Sequence, residues 1–176
     1  MKKVVFITTL NAIRAMGPCE DGWKKLLKHL GKEKANDEPL NLLTILESNG
    51  VQHCLWALRC VEHPDLDRIA RLMAADFAEA VLPIFEKKYP KDDRPRKAIQ
   101  AARDFANGKI TAQERAAAGD AAGAAAWAAA RAAAGAAAWA AAGDAARAAA
   151  GDAARAAAGD AAGAAQTKII RKYLGR

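Results

Sequence analysis

Between Ala112 and Ala165 the sequence has no Leu, Ile, Val, Met or Phe, and 35 of those 54 positions are alanine. The overall hydrophobic content of 52% therefore overstates what is available for a core, whose large side chains must come almost entirely from residues 1–111. Cysteine is scarce. Cys19, Cys54 and Cys60 are an odd number in a chain of 176 residues, which argues against a disulfide scaffold and for a reducing, cytoplasmic setting. No strongly apolar run approaches the roughly 20 residues of a membrane span. MKKVVFITTL starts like a signal peptide, but its apolar run lasts only about four residues and no small-residue cleavage site follows. Glycine lacks the period of three that collagen requires.

Charge is present but not concentrated. The formal net charge is +7, with 19 basic and 15 acidic groups in residues 1–112 and 8 against 5 in residues 113–176. A dedicated nucleic-acid binder would cluster its surplus into a stripe.

The length fits a single domain, 1–176, made of a short-helix bundle (1–111) and an alanine-rich segment (112–176). Thr8 or Thr9 can cap a helical turn carrying Leu10, Ile13 and Met16 that ends at Gly17-Pro18. Glu20 to Leu30 follows as a helix with an acidic first turn, Trp23, Leu26, Leu27 and Leu30 on one face, and Gly31 as its stop. Asp37 or Glu38 opens a short helix through Leu40 and Leu46 that closes at Asn49-Gly50. VQHCLWALRCV forms another, stopped by His63-Pro64. Asp65 to Lys88 is the clearest amphipathic segment: Leu66, Ile69, Met73, Phe77, Val81, Ile84 and Phe85 form the apolar face, while Asp67, Arg68, Arg71, Asp76 and Glu79 fill the other. Pro83 predicts a kink there. A last helix carries Ile99, Ala102, Phe105 and Ala106 to Asn107-Gly108. Only Val4–Ile7 is a candidate strand, so the expected class is all-α.

The alanine tract repeats every four residues. From Arg115 to Gly163 each fourth position is Gly, Trp or Arg, and Asp120, Asp144, Asp152 and Asp160 follow by one. A continuous helix from Ala112 to Leu174 would span roughly 95 Å, against a radius of gyration near 16 Å for a compact chain of this size. A break into an antiparallel helical hairpin, best placed at Gly143-Asp144, is therefore expected; glycine can end one helix and aspartate cap the next.

Candidate chemistry is sparse. His53, Cys60 and His63 would lie within about 80° on one helix, with Cys19 or His29 as a fourth ligand. CxxC and HExxH spacings are both missing, so the residues read as buried thiols with partly exposed imidazoles, and no metal or cofactor is expected. Nucleophilic catalysis needs a thiol or hydroxyl beside a base, and neither GxSxG nor a phosphate-binding glycine loop occurs. The chain reads as a binding protein, not an enzyme. KKYPKDDRPRK gathers Lys87, Lys88, Lys91, Arg94, Arg96 and Lys97 around Asp92 and Asp93. Arg94 and Arg96 fall at a helix start, where cations are mildly unfavourable; pairing with the aspartates, or an acidic partner, would offset that. Asp93 is expected to cap this helix. Lys168, Arg171, Lys172 and Arg176 form a second basic patch. Trp127 and Trp139 are the only large side chains in the tract, one a core anchor and the other an exposed partner anchor, or both buried.

LNAIRAMGPCEDGW, DDRPRKAIQAARDFANG, the interrupted alanine tract and QTKIIRKYL together resemble the immunity protein family of bacteria and their phages. The resemblance marks Asp92, Asp93, Arg94, Pro95, Arg96 and Lys97 as family-typical, along with Cys19 and Glu20. It implies a protein that neutralises a toxin or effector by binding it. In a phage this would make it an anti-defence protein, an inhibitor of, for example, a CRISPR effector. The side chains expected to meet the partner are Lys88, Lys91, Arg94, Arg96, Trp127, Trp139, Lys168 and Arg171. The alternative is a nucleic-acid-associated protein that uses the two basic patches.

Overall fold

The computed structural model describes residues 5–121 and 163–174. Trp127, Trp139 and the expected break at Gly143-Asp144 lie outside the described residues. The described chain is mostly helical, with one two-stranded sheet, so the all-α reading holds in its broad form. It divides into two compact units, residues 1–70 with 166–176, and residues 71–165.

The first unit is built on large apolar side chains. Strand β1, Ile7–Thr8, pairs antiparallel with β2, Leu40–Asn41, so that Ile7 faces Asn41 and Thr8 faces Leu40. The expected strand at Val4–Ile7 thus forms later in the chain, and Leu40, expected in a helix, is its partner. Thr8 is buried and donates its hydroxyl to the Cys60 carbonyl at 2.6 Å, which leaves capping to Thr9. The Thr9 hydroxyl accepts from Ala12 N at 3.0 Å and starts helix α1, Leu10–Ala15. Helix α2, Glu20–Leu30, ends at Gly31 in the left-handed region (φ 63°). There the Lys32 N–H donates back to the Leu27 carbonyl at 2.9 Å, the closure that such a glycine permits.

Helix α3, Leu42–Asn49, is capped by Asn41, whose side chain accepts from Leu43 N at 2.9 Å. Asp37 and Glu38 do not open it, because Leu40 and Asn41 are held extended by β1. Helix α4, Val51–Ala57, tightens into a 3-10 turn at Leu58–Cys60 and gives way to extended backbone at Val61. The expected run to His63 is therefore cut short, and His53, Cys60 and His63 do not share a helix face. The helix at residues 163–174 returns to this unit from residue 166. Its Ile170 and Leu174 are buried, as are Phe6, Leu10, Leu42 and Cys54. Each such aliphatic or aromatic side chain contributes about 1.5–3 kcal/mol on burial.

In the second unit the described core is smaller. Helix α5, Leu66–Lys88, belongs to this unit from Arg71 onward and runs through Pro83, and helix α6, Arg94–Ala106, follows it. Ala75, Leu82 and Ile99 form the buried cluster, with Ala102 packed against it. Two expectations are corrected here. Val81 and Ile84 are 50% and 75% exposed, not buried. Asp76, expected on the solvent face, is buried and paired with Arg103 of α6 at 2.7 Å. Ile69 and Met73 of the expected face are buried as read, but toward α6 the contact is made by Ala75 and Leu82 with Ile99 and Ala102, residues that a stripe drawn through Val81 and Ile84 leaves out. A further helix begins at residue 112, opened by a reciprocal cap in which Glu114 accepts from Thr111 N (2.8 Å) and Thr111 accepts from Glu114 N (3.2 Å).

Candidate functional site

The α5–α6 loop, residues 89–93, is held by ion pairs on both sides. Asp92 accepts from the Arg94 backbone N–H at 3.2 Å and from the guanidinium at 2.8 and 2.6 Å. Arg96 reaches back to Glu86 of α5 with two bonds of 2.8 Å. Lys97 pairs with Asp93 at 2.9 Å. Paired guanidinium–carboxylate bonds of this kind fix orientation as well as distance. The Arg94 side chain holds the Asp92 carboxyl below its ordinary range. Asp93 makes no side-chain cap bond, which corrects the expected role: Asp92 supplies the oxygen, and the extra residue leaves Asp93 free to reach one turn ahead. Pro95 sits in the first turn of α6, where its missing N–H costs nothing.

The unfavourable arginines at this helix start are thus offset within the chain. Lys87, Lys88 and Lys91 remain exposed, and among the described residues none of the three is ion-paired. Lys88 lies over the Tyr89 ring at 5.6 Å. Below the loop, Arg103 bridges Asp76 and Glu79 of α5, at 2.7 and 2.5 Å. The bond from Arg103 pulls the Glu79 carboxyl below its ordinary value of 4.5. Sequence periodicity missed this bridge, because it ranks charged residues as solvent-facing. The remaining described contact candidates lie in the first unit: Lys168 is exposed, and Arg171 is 3.7 Å from Glu47.

A second arrangement joins Cys19 and His53, which the sequence offered together only as members of a possible metal stripe, because its parts are far apart in the chain. Cys19, the residue before α2, places its Sγ 3.5 Å from His53 Nε2 on α4. His53 Nδ1 is 3.1 Å from the Asn49 carbonyl. Both residues line a cleft of about 240 Å³ together with Ile13, Trp23, Leu26, Ile45 and Trp56. Gly22 is the one legible signal, a small residue inside an otherwise strong helix pattern. A Cβ there would lie 2.6 Å from His53 Nε2 and 2.9 Å from Cys19 Sγ. The other two thiols are buried. Cys54 is pushed up to about 12 by desolvation, and Cys60 is raised by burial against the opposing charge of Arg59. Glu20, beside Cys19, pairs with Lys24 on the surface. Among the described residues no three His, Cys, Asp or Glu side chains gather as a metal-binding group, and no helix is long and apolar enough to cross a membrane.

The Imm-5 like putative immunity protein model matches residues 67–172. The chain belongs to that family. The match takes in all of DDRPRKAI, the α5–α6 loop and most of QTKIIRKYL, so the resemblance read from those segments is correct. LNAIRAMGPCEDGW, with Cys19 and Glu20, lies before it. No curated protein matches the chain, and no solved structure does. Membership in an immunity protein family implies an immunity-type function exerted on a protein partner such as a toxin.

Proposed function

We propose that this immunity protein neutralises one protein toxin or defence effector by stoichiometric binding, without chemistry on that partner, and that the α5–α6 loop is its contact surface. The observation that carries the reading is the loop itself. It lies inside the family match, its backbone is braced by two bidentate arginine pairs, and it offers exposed Lys87, Lys88 and Lys91 beyond them. A rigid loop with surplus positive charge fits an acidic face on the partner, with little ordering cost on binding. Arg94 and Arg96 then shape the surface. Lys168, Arg171, Trp127 and Trp139 are proposed as further contacts, tryptophan being frequent among binding hot spots.

In a phage the same activity would block a host defence effector, a CRISPR effector among them, in the cytoplasm. With a net charge of +7 the chain would do so by covering a protein surface, not by imitating DNA. The test starts with a pull-down from the native host, followed by titration of the captured protein against the purified chain. A one-to-one complex that weakens at least about tenfold in the Lys88→Glu/Lys91→Glu variant supports the proposal. Tight binding to duplex DNA, with affinity falling steeply as salt rises, would favour the nucleic-acid reading instead.

A further inference from the structure

The Cys19–His53 pair belongs neither to the loop nor to the family match, and it has the parts of a nucleophile and its base. The nearness of His53 Nδ1 to the Asn49 carbonyl requires Nδ1 to carry the ring proton and donate it, because a carbonyl can only accept. In the neutral ring Nε2 is then the nitrogen with the lone pair, and it lies 3.5 Å from the Cys19 thiol. Asn49 in turn donates from Nδ2 to the Gly22 carbonyl at 2.7 Å, so the end of α3 ties the base's acceptor to the helix that carries the thiol. Gly22 keeps the space between them open, since a Cβ there would meet both His53 Nε2 and Cys19 Sγ.

Three further features say what the pair would act on. Cys19 is exposed, and its side chain is not used as a cap on α2. The first-turn N–H groups of α2, which Cys19 precedes, have no acceptor within the helix, and Glu20 and Asp21 stand in the same turn. The cleft next to Sγ is walled by Trp23, Trp56, Leu26 and Ile13, an apolar lining suited to a hydrocarbon chain and not to a sugar or a phosphate.

We propose that Cys19 is an acylation site, with His53 as general base, and that the tryptophan-walled cleft receives the acyl chain of a thioester donor. The thiol proton passes to His53 Nε2 as Sγ bonds to the thioester carbonyl carbon. Collapse of the tetrahedral intermediate breaks the donor's carbon–sulfur bond. The departing thiolate takes the proton back from His53, leaving S-acyl Cys19 and a free thiol.

The test exposes the full chain to the hexanoyl thioester of N-acetylcysteamine and follows intact mass, with peptide mapping. A single adduct on Cys19 is expected, with Cys54 and Cys60 unmodified. It should form at least about tenfold faster than with the acetyl thioester, and at least about tenfold faster than in His53→Gln. Equal rates for the two acyl chains would overturn the cleft as the acyl site. An unchanged rate in a folded His53→Gln protein would overturn His53 as the base. Should His53→Gln not fold, Gly22→Ala provides the second variant: its Cβ must displace the imidazole or the thiol, so acylation should slow while the circular dichroism stays helical. Adduct formation as fast in the urea-unfolded chain would overturn the whole proposal.

Discussion

The two units are held together by different means. In the first, Phe6, Leu10, Leu42, Ile170 and Leu174 are almost fully buried, and the chain's end returns from far along the sequence to supply the last two. In the described part of the second, Met73 is buried, the cluster that joins α5 to α6 is Ala75, Leu82 and Ile99, and Arg103 adds a tie to Asp76 and Glu79. Alanine lets helix axes approach but buries little area, and the bidentate Arg103–Glu79 pair adds orientation to what Leu82 and Ile99 bury. The lesson is that a part of the chain built from small residues can still present a precisely set loop, provided its ion pairs are bidentate.

That contrast predicts a ranked set of losses. Ile170→Ala in the first unit should cost about 2–5 kcal/mol, as a fully buried aliphatic side chain leaves a cavity; urea unfolding measures it, and a value below 1 kcal/mol would mean the C-terminal helix is not part of that core. Arg103→Met should cost less, about 1–2 kcal/mol, since Arg103 keeps a quarter of its side chain exposed. The same variant sharpens the comparison through pH. Glu79 has a lowered folded-state pKa, so its pairing stabilises fully above the ordinary value of 4.5 and that contribution disappears as pH falls below it. Wild type should lose stability through that window, and Arg103→Met should lose less; identical pH profiles would remove the bridge as the tie. The smallest effects belong to the loop. Asp92→Ala should lower the melting temperature more than Asp93→Ala, because Asp92 holds both the Arg94 backbone and its guanidinium. The reverse order would return the cap to Asp93.

Much of the helical skeleton was legible. Thr9, Gly31 and Asn107-Gly108 carry local signals that act over one turn, and the structure uses them as read. What was not legible depends on partners distant in sequence. The β1–β2 pair is two residues long on each strand, too short for any alternation to register, yet it displaces the start of α3 to Asn41. Thr111 and Glu114 do form a local signal, the Ser/Thr-x-x-Glu capping box, overshadowed by the alanine repeat that begins beside it. Arg103 and the Cys19–His53 pair are side chains whose partners lie on other helices, and no period along one helix reveals them. The basic loop was visible as composition, whereas the division of its arginines from its lysines needed coordinates.

The central claim is that the lysines beyond the braced loop bind a protein. Isothermal titration of the partner captured from the native host, against wild type and Lys88→Glu/Lys91→Glu, tests it most directly. One-to-one binding is expected, weakening at least about tenfold in the variant while its circular dichroism is unchanged. Equal affinity for both proteins would contradict it.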